Sequence, residues 1–192
     1  FFATGDSSGL SGQGSLERWT DDVSAAATEL MAASGASQLS LVGVRMGATL
    51  GALAADAGLD VSHMIMWDPV TSGADYVRAL ERMQTDALQE RRNRRRVTSS
   101  MIGDDRMGSP YPPALRRQLE LISLAPNDLS SRTTIVASQS RPEYALLAEQ
   151  NPNVKVDVIG DEAAWEDAAS AQSALLPRRI PRHIAAVLGG AE

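Results

Sequence analysis

The sequence predicts an α/β fold built on a parallel sheet. Three observations carry that expectation. Short apolar runs alternate with longer amphipathic stretches, the order that strand–helix–strand units produce. His63-Met-Ile-Met-Trp67 is continuously apolar rather than alternating, the pattern of a strand covered on both faces. Gln38 to Ala54 reads as a short apolar strand, a sharp bend flanked by Gly43 and Gly47, and a small-residue helix.

Taken in order, Phe1-Phe2-Ala3 has the look of a strand's tail, so the chain is expected to begin partway through a fold. Thr4 to Gly14 is turn-rich. Ser15 is the expected helix cap, and Leu16, Trp19, Val23, Ala27, Leu30 and Met31 recur at helical spacing, so a helix is expected over Leu16 to Ala33. Ser34-Gly35 ends it. Leu39, Leu41 and Val42 form the next strand, and Ala48 to Ala55 the helix behind it. After His63–Trp67, the pair Asp68-Pro69 signals a turn. Helical spacing returns at Asp75 with Tyr76, Val77, Leu80, Met83 and Ala87. The run Arg91 to Arg96 sits at that helix's end, where cations complement the dipole. Met101 to Pro113 is irregular, and Leu115, Leu119 and Ile122 mark another helix. Thr133–Ala137 and Val154–Ile159 read as strands, with a helix over Pro142 to Gln150 between them. Pro177 to Leu188 closes the chain as a helix that tolerates Pro181 in its first turn. Residues 74–124 interrupt the alternation with helices only. They are expected to be a helical lid insertion in an otherwise single domain, 1–192.

Composition narrows the function. The 192 residues are 43% hydrophobic and 22% charged, an ordinary globular balance. A net charge of −6 argues against nucleic acid as a partner. The chain has no cysteine and two histidines, so no metal site and no cofactor is expected. No apolar run approaches a membrane span and no signal peptide opens the chain, which makes a cytoplasmic location the default and a membrane an unexpected partner. Homo-oligomerisation is left open. Asp104-Asp105 lacks a suitably spaced third ligand, and the arginine run reads as a solvated helix end. A dinucleotide site is disfavoured, because Gly43, Gly47 and Gly51 are spaced G-x-x-x-G-x-x-x-G rather than G-x-G-x-x-G.

The spacing Gly43-x-Arg45-x-Gly47 is that of the nucleophile elbow, G-x-S-x-G, with arginine at the centre. Thr4-Gly-Asp-Ser-Ser-Gly9, the helix bearing Trp19 and Asp22, Met66-Trp-Asp-Pro-Val-Thr-Ser-Gly73 and Pro110-Tyr-Pro-Pro-Ala-Leu115 accompany it. With these pieces the chain resembles an α/β-hydrolase, and within that superfamily the exosortase-associated hydrolases and their serine-aminopeptidase-like relatives. The resemblance implies an α/β-hydrolase-like parallel sheet with its N-terminal strands and oxyanion loop missing from these residues. It also implies that Arg45 matches a subgroup carrying G-L-R-L-G at this place.

Acyl transfer on this fold needs a nucleophile, a histidine base and a carboxylate within hydrogen-bond reach. Arg45 offers only donors and stays protonated. His63 opens a strand that ends at Asp68, about 16 Å away, at the wrong edge of the sheet. His183 lies on the last helix. Gly160 to Glu166, where a base would follow the last strand, holds Trp165 instead, and Ala137-Ser-Gln-Ser-Arg141 supplies no acid. Ser7 and Ser8 lack a base. The expectation is a degenerate triad with no catalytic residue in this chain. Such a protein would be a ligand-binding or accessory module in a biosynthetic system. The alternative is an active esterase, thioesterase or peptidase whose missing residues come from outside the chain. Arg45, Met46 and Asp68 are the expected site. Either Arg45 pairs internally with Asp68, or Arg45 and the Met46 N–H receive a small anionic or acyl ligand.

Overall fold

Strand and helix alternate in space as they do in sequence. The computed structural model describes residues 1–10, 12–94, 105–106, 109–161, 163, 165 and 178–190. The elements are α1 (Leu16–Ser34), β1 (Ser40–Val44), α2 (Met46–Asp56), β2 (His63–Trp67), α3 (Gly73–Arg94), β3 (Asp105–Arg106), β4 (Ser109–Pro110), α4 (Pro113–Glu120), β5 (Arg132–Ala137), α5 (Pro142–Gln150), β6 (Val154–Val158) and α6 (Arg179–Leu188). They fall into two compact units. The larger comprises Thr20–Thr71, Ser123–Ala163 and Leu175–Glu192, the smaller Phe1–Trp19, Ser72–Ile122 and Ala164–Ala174.

In the larger unit four strands pair in parallel in the order β1-β2-β5-β6. Register aligns Val44 with Trp67, Trp67 with Val136, and Val136 with Asp157. The strands therefore end together, and the loops beyond Val44, Trp67 and Ala137 share one edge. Successive residues alternate between faces. Met64, Met66, Ile135, Ala137 and Val154 join Ala48 and Ala52 of α2 and Tyr144 and Leu147 of α5 in one core layer. Ile65 and Val136 join Ile180, Ile184 and Val187 of α6 in the other. That two-sided cover is why His63–Trp67 reads as continuously apolar. Each fully buried aliphatic side chain contributes roughly 1.5–3 kcal/mol. Asp161 fixes where α6 starts, its Oδ2 accepting from the N–H groups of Arg179 (2.8 Å) and Ile180 (3.1 Å). Pro181 falls in the first turn, where it costs no intrahelical bond.

The smaller unit holds the N-terminal loop, the first turn of α1, α3 and α4. Ser15 caps α1 as the sequence predicts, its Oγ accepting from the Arg18 N–H at 3.3 Å. Phe1–Ala3 are not a strand's tail but part of a turn, with Ala3 at φ 56° and its N–H bonded to the Ser8 carbonyl. Trp19 holds that turn by donating from Nε1 to the Phe2 carbonyl at 3.0 Å. Arg116 on α4 pairs with Glu81 (2.9 Å) and Glu120 (3.0 Å), surface contacts worth little individually. Residues 95–104, 107–108 and 166–177 lie outside the described residues, and with them Arg95, Arg96, Asp104 and the start expected for the last helix at Pro177.

Two buried phenols set an alkaline limit on stability. Tyr111, 8% exposed, has a hydroxyl with no hydrogen-bond partner among the described residues, and burial pushes it up to about 12. Tyr144 is raised further, by burial and then by the negative charge of Asp68. Both folded-state values lie above the ordinary tyrosine value near 10, so the neutral phenols' contribution is complete below about pH 10 and is lost as pH rises beyond it. Denaturant midpoints are expected to fall between about pH 10 and 12. Tyr111→Phe is expected to raise stability by about 1 kcal/mol, because it removes an unsatisfied buried hydroxyl, and to flatten part of that alkaline fall. Chemical denaturation of both proteins across that range checks both expectations.

Candidate functional site

The site grows from the bend between β1 and α2. Val44 ends the strand, Met46 starts the helix, and Arg45 alone makes the turn, at φ 50° and ψ −121°. A non-glycine residue there is strained by about 1–3 kcal/mol and persists only when its surroundings hold it. Here the main chain is held from both sides. The Arg45 N–H donates to the Trp67 carbonyl at 2.9 Å, and the Arg45 carbonyl accepts from Ala48 N–H at 3.1 Å. Gly43 lets β1 and α2 meet: a Cβ there would lie 2.3 Å from the Ala48 Cα. Gly47 is different, since a Cβ on it would meet nothing within 4 Å. Of the two glycines flanking the bend, close packing therefore requires Gly43 and not Gly47.

The Arg45 side chain is half-buried and reaches the end of β2, where Nη1 donates to the main-chain carbonyl of Asp68 at 3.3 Å. Asp68 is itself at φ 42° and only 1% exposed. Its N–H donates to the Val136 carbonyl at 3.1 Å. Its carboxylate is taken up by Ser138, the first residue past β5. The Ser138 N–H donates to Oδ1 at 2.8 Å and the Ser138 hydroxyl donates to Oδ2. Trp67 Nε1 donates to Ser138 Oγ at 3.3 Å. The loop after Asp68 is anchored too: the Tyr144 hydroxyl donates to the Pro69 carbonyl (3.0 Å) and Thr49 Oγ1 to the Val70 carbonyl (2.8 Å). Three strand ends are thereby tied in sequence, Arg45 to Asp68 to Ser138. Met46 lies at the first position of α2, where main-chain N–H groups have no intrahelical acceptor.

The histidines stand elsewhere. His63 is buried at the start of β2, with Nε2 3.0 Å from Thr134 Oγ1, at the sheet edge opposite Asp68. His183 on α6 meets Asp157 of β6, Nε2 to Oδ2, at 2.8 Å. Asp157 is three strands across from Val44, about 14 Å at strand spacing. Ser138 and Asp157 are the polar partners that sequence reasoning missed. The first was passed over as lacking a carboxylate. The second was signalled only by the charged position in the alternation Val-Lys-Val-Asp-Val. Trp165 is described, in a turn and partly buried, while 162, 164 and 166–177 around it lie outside the described residues. Among the described residues no cluster of three or more His, Asp or Glu is arranged to hold a metal ion. No helix among them is long and apolar enough to cross a membrane.

A parallel sheet with helices on both faces and a strained strand–bend–helix at its carboxyl edge defines the α/β-hydrolase fold, and solved structures agree. Mouse alpha/beta hydrolase domain-containing protein 10 is similar over 100% of this chain and 76% of its own, with 15% identity and a TM-score of 0.56. A lipase-esterase related protein from Clostridium acetobutylicum matches 80% of this chain and 70% of its own, at 14% identity and a TM-score of 0.51. A carboxylesterase structure from the thaumarchaeon Nitrososphaera gargenis matches 96% and 74%, at 12% identity and a TM-score of 0.50. At these identities the likeness is one of fold. No family model matches the sequence, and no curated protein does.

Proposed function

We propose that this chain is an α/β-hydrolase-fold module that binds a small anionic or acyl ligand at Arg45 and does not hydrolyse it. The observation that carries the reading is Arg45 at the strained tip of the bend, oriented by the Asp68 carbonyl. A guanidinium has no electron pair with which to attack a carbonyl, but its planar fork matches a carboxylate or phosphate. A cation at a helix N-terminus is opposed by the macrodipole, and a bound anion relieves that opposition while accepting from the Met46 N–H. Asp68 serves by its carbonyl, with its carboxylate committed to Ser138. The distance of both histidine pairs from the bend supports the non-hydrolytic reading. In this reading residues 74–124 act as a lid, the family resemblance suggests a biosynthetic setting, and the protein works without a metal or cofactor. Location in the cytoplasm belongs to the same proposal.

The second reading, a working esterase, thioesterase or peptidase completed from outside the chain, is favoured by the esterase names among the similar structures. Calorimetric titration tests the first reading. Octanoate and octyl phosphate are expected to bind the protein, with octanol as the uncharged control. Arg45→Ala is expected to weaken both anions at least tenfold, the loss of a hydrogen-bonded charge worth about 1.5–3 kcal/mol, and to leave octanol unchanged. Unaltered anion binding by Arg45→Ala would refute the proposal.

A further inference from the structure

We infer that Ser138 is a positioning residue for the Arg45 cation, acting through Asp68. The inference rests on the anion-binding reading above. Ser138 is 4% exposed and Asp68 1%, so neither side chain is available to a ligand, yet both bear on the half-buried Arg45. The donor inventory fixes the direction of the chain of hydrogen bonds. Indole Nε1–H only donates, so Trp67 makes Ser138 Oγ an acceptor at 3.3 Å. The serine's single hydroxyl proton is then directed at Asp68 Oδ2, and its N–H holds Oδ1 at 2.8 Å. Both carboxylate oxygens are thereby tied to one residue. That grip, with the Asp68 N–H on Val136, holds Asp68 in its left-handed conformation at φ 42°. The conformation aims the Asp68 carbonyl at Arg45 Nη1. Loss of the hydroxyl removes the bond to Oδ2 and leaves the Ser138 N–H alone on Oδ1, which weakens the hold on the left-handed conformation. The Asp68 carbonyl then turns away, and the guanidinium loses its orientation with no change in charge.

Calorimetry with octanoate and octanol on the wild type, Arg45→Ala, Ser138→Ala and Ser138→Thr tests this. The expected result is octanoate binding weakened at least tenfold by Arg45→Ala and about tenfold by Ser138→Ala. It should return to within about threefold of wild type in Ser138→Thr, with octanol unmoved throughout. If Arg45→Ala loses octanoate and Ser138→Ala keeps it within twofold, the role of Ser138 is overturned and the anion site stands. A threonine variant as weak as alanine, or octanol falling alongside octanoate, assigns the effect to packing and overturns the inference equally. Octanoate binding untouched by Arg45→Ala overturns both. If Ser138→Ala does not fold, Trp67→Phe, which removes the bond aiming the hydroxyl, is expected to weaken octanoate about threefold, and unchanged binding there counts against the inference.

Discussion

Gly43→Ala is expected to cost at least about 3 kcal/mol of folding stability, and Gly47→Ala to cost nothing. The new methyl at Gly43 would lie 2.3 Å from the Ala48 Cα and 2.6 Å from its nitrogen, both backbone atoms that no rotamer change can move. Relief requires α2 to lift away from β1, and the buried Ala48, Leu50, Ala52 and Ala54 move with it. The strained Arg45 main chain depends on that same apposition through its bonds to Trp67 and Ala48. The alanine variant is therefore expected to lose anion binding even where it remains folded. At Gly47 a methyl meets nothing within 4 Å and the backbone is already helical, so alanine's better helix propensity should stabilise by roughly 0.5–1 kcal/mol. Denaturation with guanidinium compares the pair, and a Gly43→Ala protein as stable as wild type would contradict the geometry of the bend.

Asp68→Ala is expected to cost about 3 kcal/mol. The substitution strands the N–H and hydroxyl of Ser138 in a site where Ser138 is 4% exposed, and each abandoned group costs about 1–3 kcal/mol. Alanine also tolerates the left-handed conformation at φ 42° less well than aspartate. Asp68→Asn keeps the shape and the acceptor for the Ser138 N–H, but turns an amide donor toward a hydroxyl that already accepts from Trp67. An intermediate loss of about 1–2 kcal/mol is expected. Trp67 fluorescence during denaturation reports both variants, because its indole is bonded into the same cluster. Equal stability of wild type and Asp68→Ala would mean that Asp68 does not hold the strand ends together.

Local chemistry made much of this fold legible in the sequence. The continuous apolar run of His63–Trp67 marks a strand with helices on both faces, and Pro142 and Asn151 bracket α5 because proline opens a helix cheaply. The bend was legible from Gly43, whose missing side chain leaves room for α2, and from Arg45 at its centre. Two things were not. Which strands lie side by side depends on contacts distant in sequence. The Asp68–Ser138 clamp spans seventy positions and exists only because β2 and β5 are neighbours. A lone serine after β5 carries no signal of its own, and neither does the partnership of Asp157 with His183. Arg45 at the bend and Asp68 after β2 could be picked out in the sequence, but the hydrogen bonds that link the three strand ends could not.

Incubation of the protein with a fluorophosphonate probe, followed by intact-mass measurement, tests the central claim most directly. A bend that presents a guanidinium in place of a nucleophile should leave the mass unchanged after prolonged exposure. A stoichiometric adduct on any serine of the chain would contradict that account.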